Sequence, residues 1–237
     1  MADMERPTIS SPGVALAADW AATWSRLQLD VQCYRELYMA DGYTGITPFR
    51  MVFSRGLWLL FAQRISHYYQ KQTQAGARLH PGLLVAGILS SLGALLGVIL
   101  AQSEVRGDTE LEGGIYLAND GELIFGPEQL GRGSMVHARV TIGMGLLDKR
   151  RPRIGRNVWI GPDSLLYGNI TIGDGVTILP GTALSKSIPS GVVVQGNPAR
   201  VVAREADNAC LRRSTSTDTH TFTSQLAQQR TGTAGNV

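Results

Sequence analysis

Few side chains in this sequence could move a proton or hold an anion. His137 is the only histidine inside its patterned central region, with His67, His80 and His220 outside it. An imidazole titrates near neutral pH, so His137 is a candidate general base. Asn119 and Asp120 precede it, and Asp120, Glu122 and Asp148 are the carboxylates that could share its work. The densest positive run is Lys149-Arg150-Arg151-Pro152-Arg153. It reads as a solvated loop or as the seat of a small anion, with Arg151 and Asp148 as candidate contacts to a substrate. No aromatics interleave with these cations, which argues against nucleic acid. Cys33 and Cys210 are too far apart, in contexts too unlike, to suggest a disulfide framework or a zinc site. No metal is expected, and a reducing cytoplasm is the default compartment.

These residues sit on or beside a periodic ladder. Ile124, Leu130, Val136, Ile142, Ile154, Ile160, Leu166, Ile172, Ile178 and Leu184 fall on one six-residue phase, broken only at Asp148. Glycine follows directly at 131, 143, 155, 161 and 173. Such a period is the mark of a parallel β-helix built from hexapeptides. Each hexapeptide forms one flat side of a three-sided coil, with the aliphatic residue inward and the glycine where a Cβ would crowd the corner. Val105, Leu111 and Leu117 share the spacing one residue out of phase, so a slip is expected between Leu117 and Ile124. The stretch from Met144 to Arg153 reads as a loop expelled from the coil.

Ahead of the ladder, residues 1–15 read as a disordered lead without the apolar core of a secretory signal. Residues 16–103 read as helical. Trp20, Trp24, Leu27, Val31, Tyr34, Leu37 and Tyr38 recur at helical spacing. Thr47-Pro48 resembles a helix start, and one helix is expected from there to about Gln72. The aromatics of these helices are expected in the core. Pro81 to Ser103 has no charged residue. It suits a buried or oligomer-interface helix, and by length and polarity it is also a candidate for a membrane span or surface attachment. After the coil, expected over 104–203, residues 204–237 form a polar tail without apolar periodicity, expected disordered or ordered by a ligand. The net charge of +3 is mild.

The motifs Val140-Thr-Ile-Gly143, Pro152-Arg-Ile-Gly-Arg-Asn-Val-Trp-Ile-Gly161, Gly168-Asn-Ile-Thr-Ile-Gly-Asp-Gly175 and Val194-Gln-Gly-Asn-Pro-Ala-Arg-Val201 resemble the serine O-acetyltransferase family of hexapeptide acyltransferases. The helical lead, with Leu29-Asp30-Val31 and Tyr34, is similar to the serine-acetyltransferase-like proteins of exopolysaccharide gene clusters. The resemblance implies an α+β chain with an N-terminal helical region followed by a left-handed parallel β-helix of hexapeptide repeats. It further implies trimers or dimers of trimers, with sites between neighbouring shafts. Acetyl-CoA would be the co-substrate, and serine or a sugar the acceptor. A histidine would take the proton of the attacking hydroxyl. The family's first histidine falls on Asn119, with its aspartate partner on Ala118, when counted from Leu117. Counted back from Ile124, that histidine falls on Ala118. The second falls on Arg151, which cannot be a base near neutral pH. A different base or weakened catalysis follows. Gly181, Ala183, Lys186 and Arg200 take the positions implied for CoA. The terminal Gly235-Asn236-Val237 is similar to the tail by which some members dock a partner enzyme of cysteine synthesis.

Overall fold

The computed structural model describes residues 12–43, 45, 47–76, 81–101, 103–145, 149–215 and 222–224. Four helices lead: α1 (Pro12–Ala40), α2 (Thr47–Val52), α3 (Arg55–Gln74) and α4 (Pro81–Ala101). Helix α1 begins inside the expected disordered lead, and residues 1–11 lie outside the described part. The single helix expected from Thr47 is two. Ser54 interrupts it with extended backbone and caps α3, its hydroxyl accepting from the Leu57 N–H at 3.3 Å.

Then the chain winds through short strands in three parallel stacks. The first stack holds Glu104–Val105, Ile124–Phe125, Thr141–Gly143, Leu165–Tyr167 and Ala183–Leu184. The second holds Glu110–Leu111, Gln129–Leu130, Arg153–Ile154 and Thr171–Ile172. The third holds Tyr116–Leu117, Met135–Val136, Trp159–Ile160, Thr177–Ile178 and Val193–Gln195, closed by antiparallel Arg200–Ala203. The ladder residues from Leu130 to Leu184 point inward and are almost fully buried. At Gly131 a Cβ would sit 2.5 Å from the Gly155 carbonyl, so successive coils meet too closely there for a side chain.

One ladder position is corrected. Ile124 is 43% exposed, while Phe125 is buried and pairs with Ile142. The inward phase therefore runs from Leu117 to Phe125, then Leu130. The third-to-first corner is lengthened and the next corner shortened, so Ile124, the neighbour of the inward Phe125, falls six residues before Leu130 without pointing inward. The expelled loop stands where expected, since Gly143 ends one strand and Arg153 begins the next.

The first coil lacks a coil above it, and helical side chains satisfy its open edge. Tyr34 Oη donates to the Leu117 carbonyl (2.6 Å) and accepts its N–H (3.0 Å). Asp30 accepts the Ile115 N–H, and Arg64 donates to the Leu111 carbonyl and to the Glu112 carbonyl. Asp30 and Arg64 are paired at 3.0 Å and buried. Burial raises the Asp30 carboxyl from its ordinary value, and Arg64 opposes that rise.

Three further expectations change. The tail from Glu205 to Thr215 is ordered against the shaft. Ala206 and Leu211 are buried, Asn208 Nδ2 donates to the Asn157 carbonyl, and the Ser214 and Thr215 hydroxyls donate to Asp41. Isolated anchors of this kind leave no periodic trace. The helical aromatics divide: Tyr34, Tyr38 and Tyr68 are buried, whereas Trp20, Trp24, Phe49, Phe53 and Trp58 are exposed. Helix α4 is not a core helix, because Leu84, Val85, Ile88, Leu89, Leu92 and Leu95 face outward. No helix among the described residues is long and apolar enough to cross a membrane.

Candidate functional site

Chemistry-bearing residues gather on two of the shaft's three long edges. The edge between the third and first stacks is a column of corners. The Asp163 N–H donates to the Ala138 carbonyl, and the Gly181 N–H to the Pro162 carbonyl. His137 opens one of these corners and Gly181 turns a later one. Asn119 and Asp120 occupy the lengthened corner above.

His137 is 1% exposed. Its ring lies 4.8 Å from the Trp159 ring and 6.0 Å from that of Tyr116. Burial depresses its pKa to about 4, opposed by the negative charge of Asp120. The imidazole is therefore neutral near pH 7. Its Nε2 has no hydrogen-bond partner among the described residues, nor have Trp159 Nε1 and Thr177 Oγ1. Trp159 and Thr177 are register neighbours, so unpaired polar atoms line this part of the third stack.

Asn119 is engaged structurally. Its Oδ1 accepts from the Ser54 hydroxyl (2.7 Å) and the Gly56 N–H (3.1 Å), and its Nδ2 donates to the Tyr38 hydroxyl. Asparagine offers both donor and acceptor here, which neither tautomer of a histidine would match in the same place. Asp120 is exposed.

The other edge, between the first and second stacks, carries Arg106, Asp108, Arg151 and Lys186. Arg151 Nη1 donates to Asp108 Oδ1 at 2.9 Å, and Arg106 donates to both oxygens of Asp108 at 3.1 Å. Hydrogen bonds from Arg106, then Arg151, hold the Asp108 carboxyl below the usual range. Arg106 and Arg151 border a cleft of about 150 Å³ whose floor is Ile124, Phe125, Ile142 and Met144. Lys186 is exposed farther down this edge, and Asp148 lies outside the described residues. Arg106 and Asp108 were missed by sequence reasoning, because nothing in an Arg-Gly-Asp triplet points to a loop over forty residues away. Between the two edges, the outer face of the first stack exposes Ile124, Leu165 and Tyr167.

At the far end, Gly181 has φ +70° and faces open space. The Ala183 carbonyl accepts the Ala199 N–H and the Ala183 N–H donates to the Gly196 carbonyl. The Gly-Asn-Pro-Ala-Arg turn, with its cis Asn197–Pro198 bond, thus seals the last coil beside Ala183, and Arg200 is exposed next to it. Within one chain the structure brings Asn119, Asp120, His137 and Gly181 onto one edge and places Arg151 and Lys186 on another. No group of three or more metal-binding side chains is found among the described residues.

Comparison with known proteins bears on what such a shaft does. Residues 151–186 match the family model for the bacterial transferase hexapeptide (six repeats). The chain is 29% identical over 152 residues to a serine acetyltransferase of Synechococcus elongatus, covering 63% of this chain and 57% of that protein. It is 26% identical over 199 residues to serine acetyltransferase 4 of Arabidopsis thaliana, covering 75% and 47%. It spans about half the length of these curated relatives. Among solved structures, serine acetyltransferase of Brucella abortus in complex with coenzyme A superposes with a TM-score of 0.64 at 23% identity, over 86% of this chain and 78% of that one. The serine complex of the Neisseria gonorrhoeae enzyme gives 0.62 at 21%, over 80% and 72%. These likenesses speak for the fold.

Proposed function

We propose, taking the chain as a member of the serine O-acetyltransferase family of hexapeptide-repeat proteins, that it transfers the acetyl group of acetyl-CoA to a hydroxyl. Serine, for cysteine synthesis in the cytoplasm, is the first acceptor. The observation that carries this reading is the division of chemistry between two edges of one shaft. In a left-handed coil assembled as a homotrimer, or a dimer of trimers, one edge of each protomer faces the other edge of its neighbour. A rotation that repeats head to tail makes such a contact without using any surface twice. The exposed apolar face between the edges supplies the contact.

In the composite site, the acceptor oxygen attacks the thioester carbonyl carbon while His137 Nε2 takes its proton. The carbon–sulfur bond breaks, and the CoA sulfur leaves and gains a proton. The neutral state of His137 suits proton uptake, though its depressed pKa makes it a weak base. Reaching it requires the cover over the third stack to shift. Arg151, whose Nη1 is on Asp108, holds an acceptor carboxylate or a CoA phosphate through its remaining N–H groups. Gly181, Ala183, Lys186 and Arg200 contact CoA along the late coils. Asp120 supports His137 electrostatically.

A second reading, acetylation of a sugar or exopolysaccharide precursor, is favoured by one observation. Both positions where the family carries histidine are committed elsewhere, Asn119 to the helical cap and Arg151 to Asp108. An altered site suits an altered acceptor, and the same commitment would leave an inactive scaffold if no acceptor is turned over. Mixed oligomers test the composite site. Chains with His137→Ala and chains with Arg151→Ala should each lose most activity alone and regain part of it when co-assembled. Two variants that never complement would place each site within one chain.

A further inference from the structure

The turn Arg106-Gly107-Asp108-Thr109 is gripped by a helix on one side and grips Arg151 on the other. Gln63, Ser66, His67 and Gln70 fall at helical spacing on a single face of α3. Buried Gln63 donates through Nε2 to the Thr109 carbonyl at 2.8 Å. His67 Nδ1 lies 3.1 Å from the Gly107 carbonyl. A carbonyl only accepts, so this nitrogen carries the proton. A Cβ at Gly107 would collide with Ser66 Oγ and stand 2.7 Å from Gln70 Nε2, so the turn lies directly against α3.

Away from the helix the turn presents Asp108. Arg106 donates to both carboxylate oxygens, and its stem lies where a Cβ on Gly126 would meet Arg106 Cδ at 2.8 Å. Arg151 donates to Oδ1 through Nη1. Two guanidiniums share one carboxylate, so the trio keeps a net positive charge, and the rest of the Arg151 fork is left for another acceptor. The Arg151 side chain is 16% exposed, against 61% for Arg153 two residues on. A long side chain this enclosed has given up rotamer freedom before any ligand arrives. It borders the cleft whose floor is Ile124, Phe125, Ile142 and Met144.

We propose that Asp108 is a positioning residue: it fixes the direction in which Arg151 offers its remaining N–H groups to the anionic group of a substrate at this cleft, and α3 fixes Asp108 through the turn. This rests on the reading that Arg151 binds substrate. The anion is a carboxylate of the acceptor or a phosphate of CoA, and both present the same oxygens to a guanidinium. Asp108 orients the charge of Arg151 without cancelling it, because Arg106 already donates to both of its oxygens.

Steady-state kinetics of the full chain with acetyl-CoA and serine test this. Arg151→Ala identifies the anion: KM for serine should rise if it is the acceptor carboxylate, and KM for acetyl-CoA if it is a phosphate. Asp108→Ala should raise that same KM at least about tenfold, the size expected from losing one charge-assisted hydrogen bond, and leave kcat within about twofold. Asp108→Asn keeps an oxygen for Nη1 and should lie between. The double variant Asp108→Ala with Arg151→Ala should match Arg151→Ala alone, since Asp108 acts only through Arg151. Additive effects in the double variant would overturn the inference, as would an unchanged KM in Asp108→Ala. So would a lowered KM, which would make Asp108 a competitor of the substrate. If Arg151→Ala itself moves neither KM, the underlying reading falls and the inference with it. A crystal structure of Asp108→Ala decides the geometry without turnover. The Arg151 guanidinium should leave its wild-type position, and finding it in place would overturn the inference.

Discussion

The late coils and the first coil solve the same problem with different chemistry. In the late coils Arg153–Ile154, Trp159–Ile160, Leu165–Tyr167 and Thr177–Ile178 are each paired with a strand above and a strand below, and the interior is a column of aliphatic side chains. At the first coil there is nothing above, so Asp30, Tyr34, Gln63, Arg64 and Asn119 donate and accept in place of a missing strand. The contrast gives Asn119 a role in the fold that needs no catalysis. Asn119 belongs to the capped end, where any side chain able to bridge Gly56, Ser54 and Tyr38 is useful whether or not it does chemistry. His137 lies one coil inside, under aromatic cover.

Removing one partner of the buried pair breaks the capped end most severely. Asp30→Ala should cost about 3–5 kcal/mol in urea unfolding, because Arg64 is left charged and unpaired. Asp30→Leu with Arg64→Met should recover much of that loss. If the single variant costs no more than the double, the pair is not what holds the cap. In the ladder, Ile178→Ala should cost about 2–5 kcal/mol through a cavity, with no such rescue available from a second change.

Acid sharpens the comparison. His137 has its pKa depressed from 6.5 to about 4, so the unfolded chain takes up the proton first. Its contribution is complete above pH 6.5 and is lost as pH falls toward 4, an amount of about 3 kcal/mol. Stability of His137→Gln measured across that window should be flatter than that of wild type by this amount, and parallel curves would contradict the burial. Asn119→Ala should cost about 1–3 kcal/mol by leaving the Gly56 N–H unpaired. The smallest effect is expected on the solvated edge between the second and third stacks. There Arg156→Ala breaks an exposed ion pair with Glu112 and should change the melting midpoint by less than about 1 kcal/mol equivalent.

The coil was legible because inward residues repeat every six positions and the core demands aliphatics there. Ile124 misled because it stands six residues before Leu130 although the corner between them is one residue short, and only the pairing of Phe125 with Ile142 shows which of the two points inward. The helical cap was legible as helices but not as a cap, since the contacts of Asp30 and Tyr34 cross more than eighty residues and leave no local signature. Of the candidate site, His137 and Arg151 could be named from type and phase. Their separation onto different edges, and the Arg106–Asp108–Arg151 cluster, depend on how many residues each corner consumes. The exposed face of α4 could be read as apolar but not as outward.

The most direct test is release of free CoA by the purified full chain given acetyl-CoA and a hydroxyl acceptor. Serine-dependent release that falls at least about a hundredfold in His137→Ala, the lower bound for loss of a general base, is the predicted result. Chain that binds CoA by calorimetry, yet releases none with serine or with any sugar acceptor, would contradict the proposed transferase.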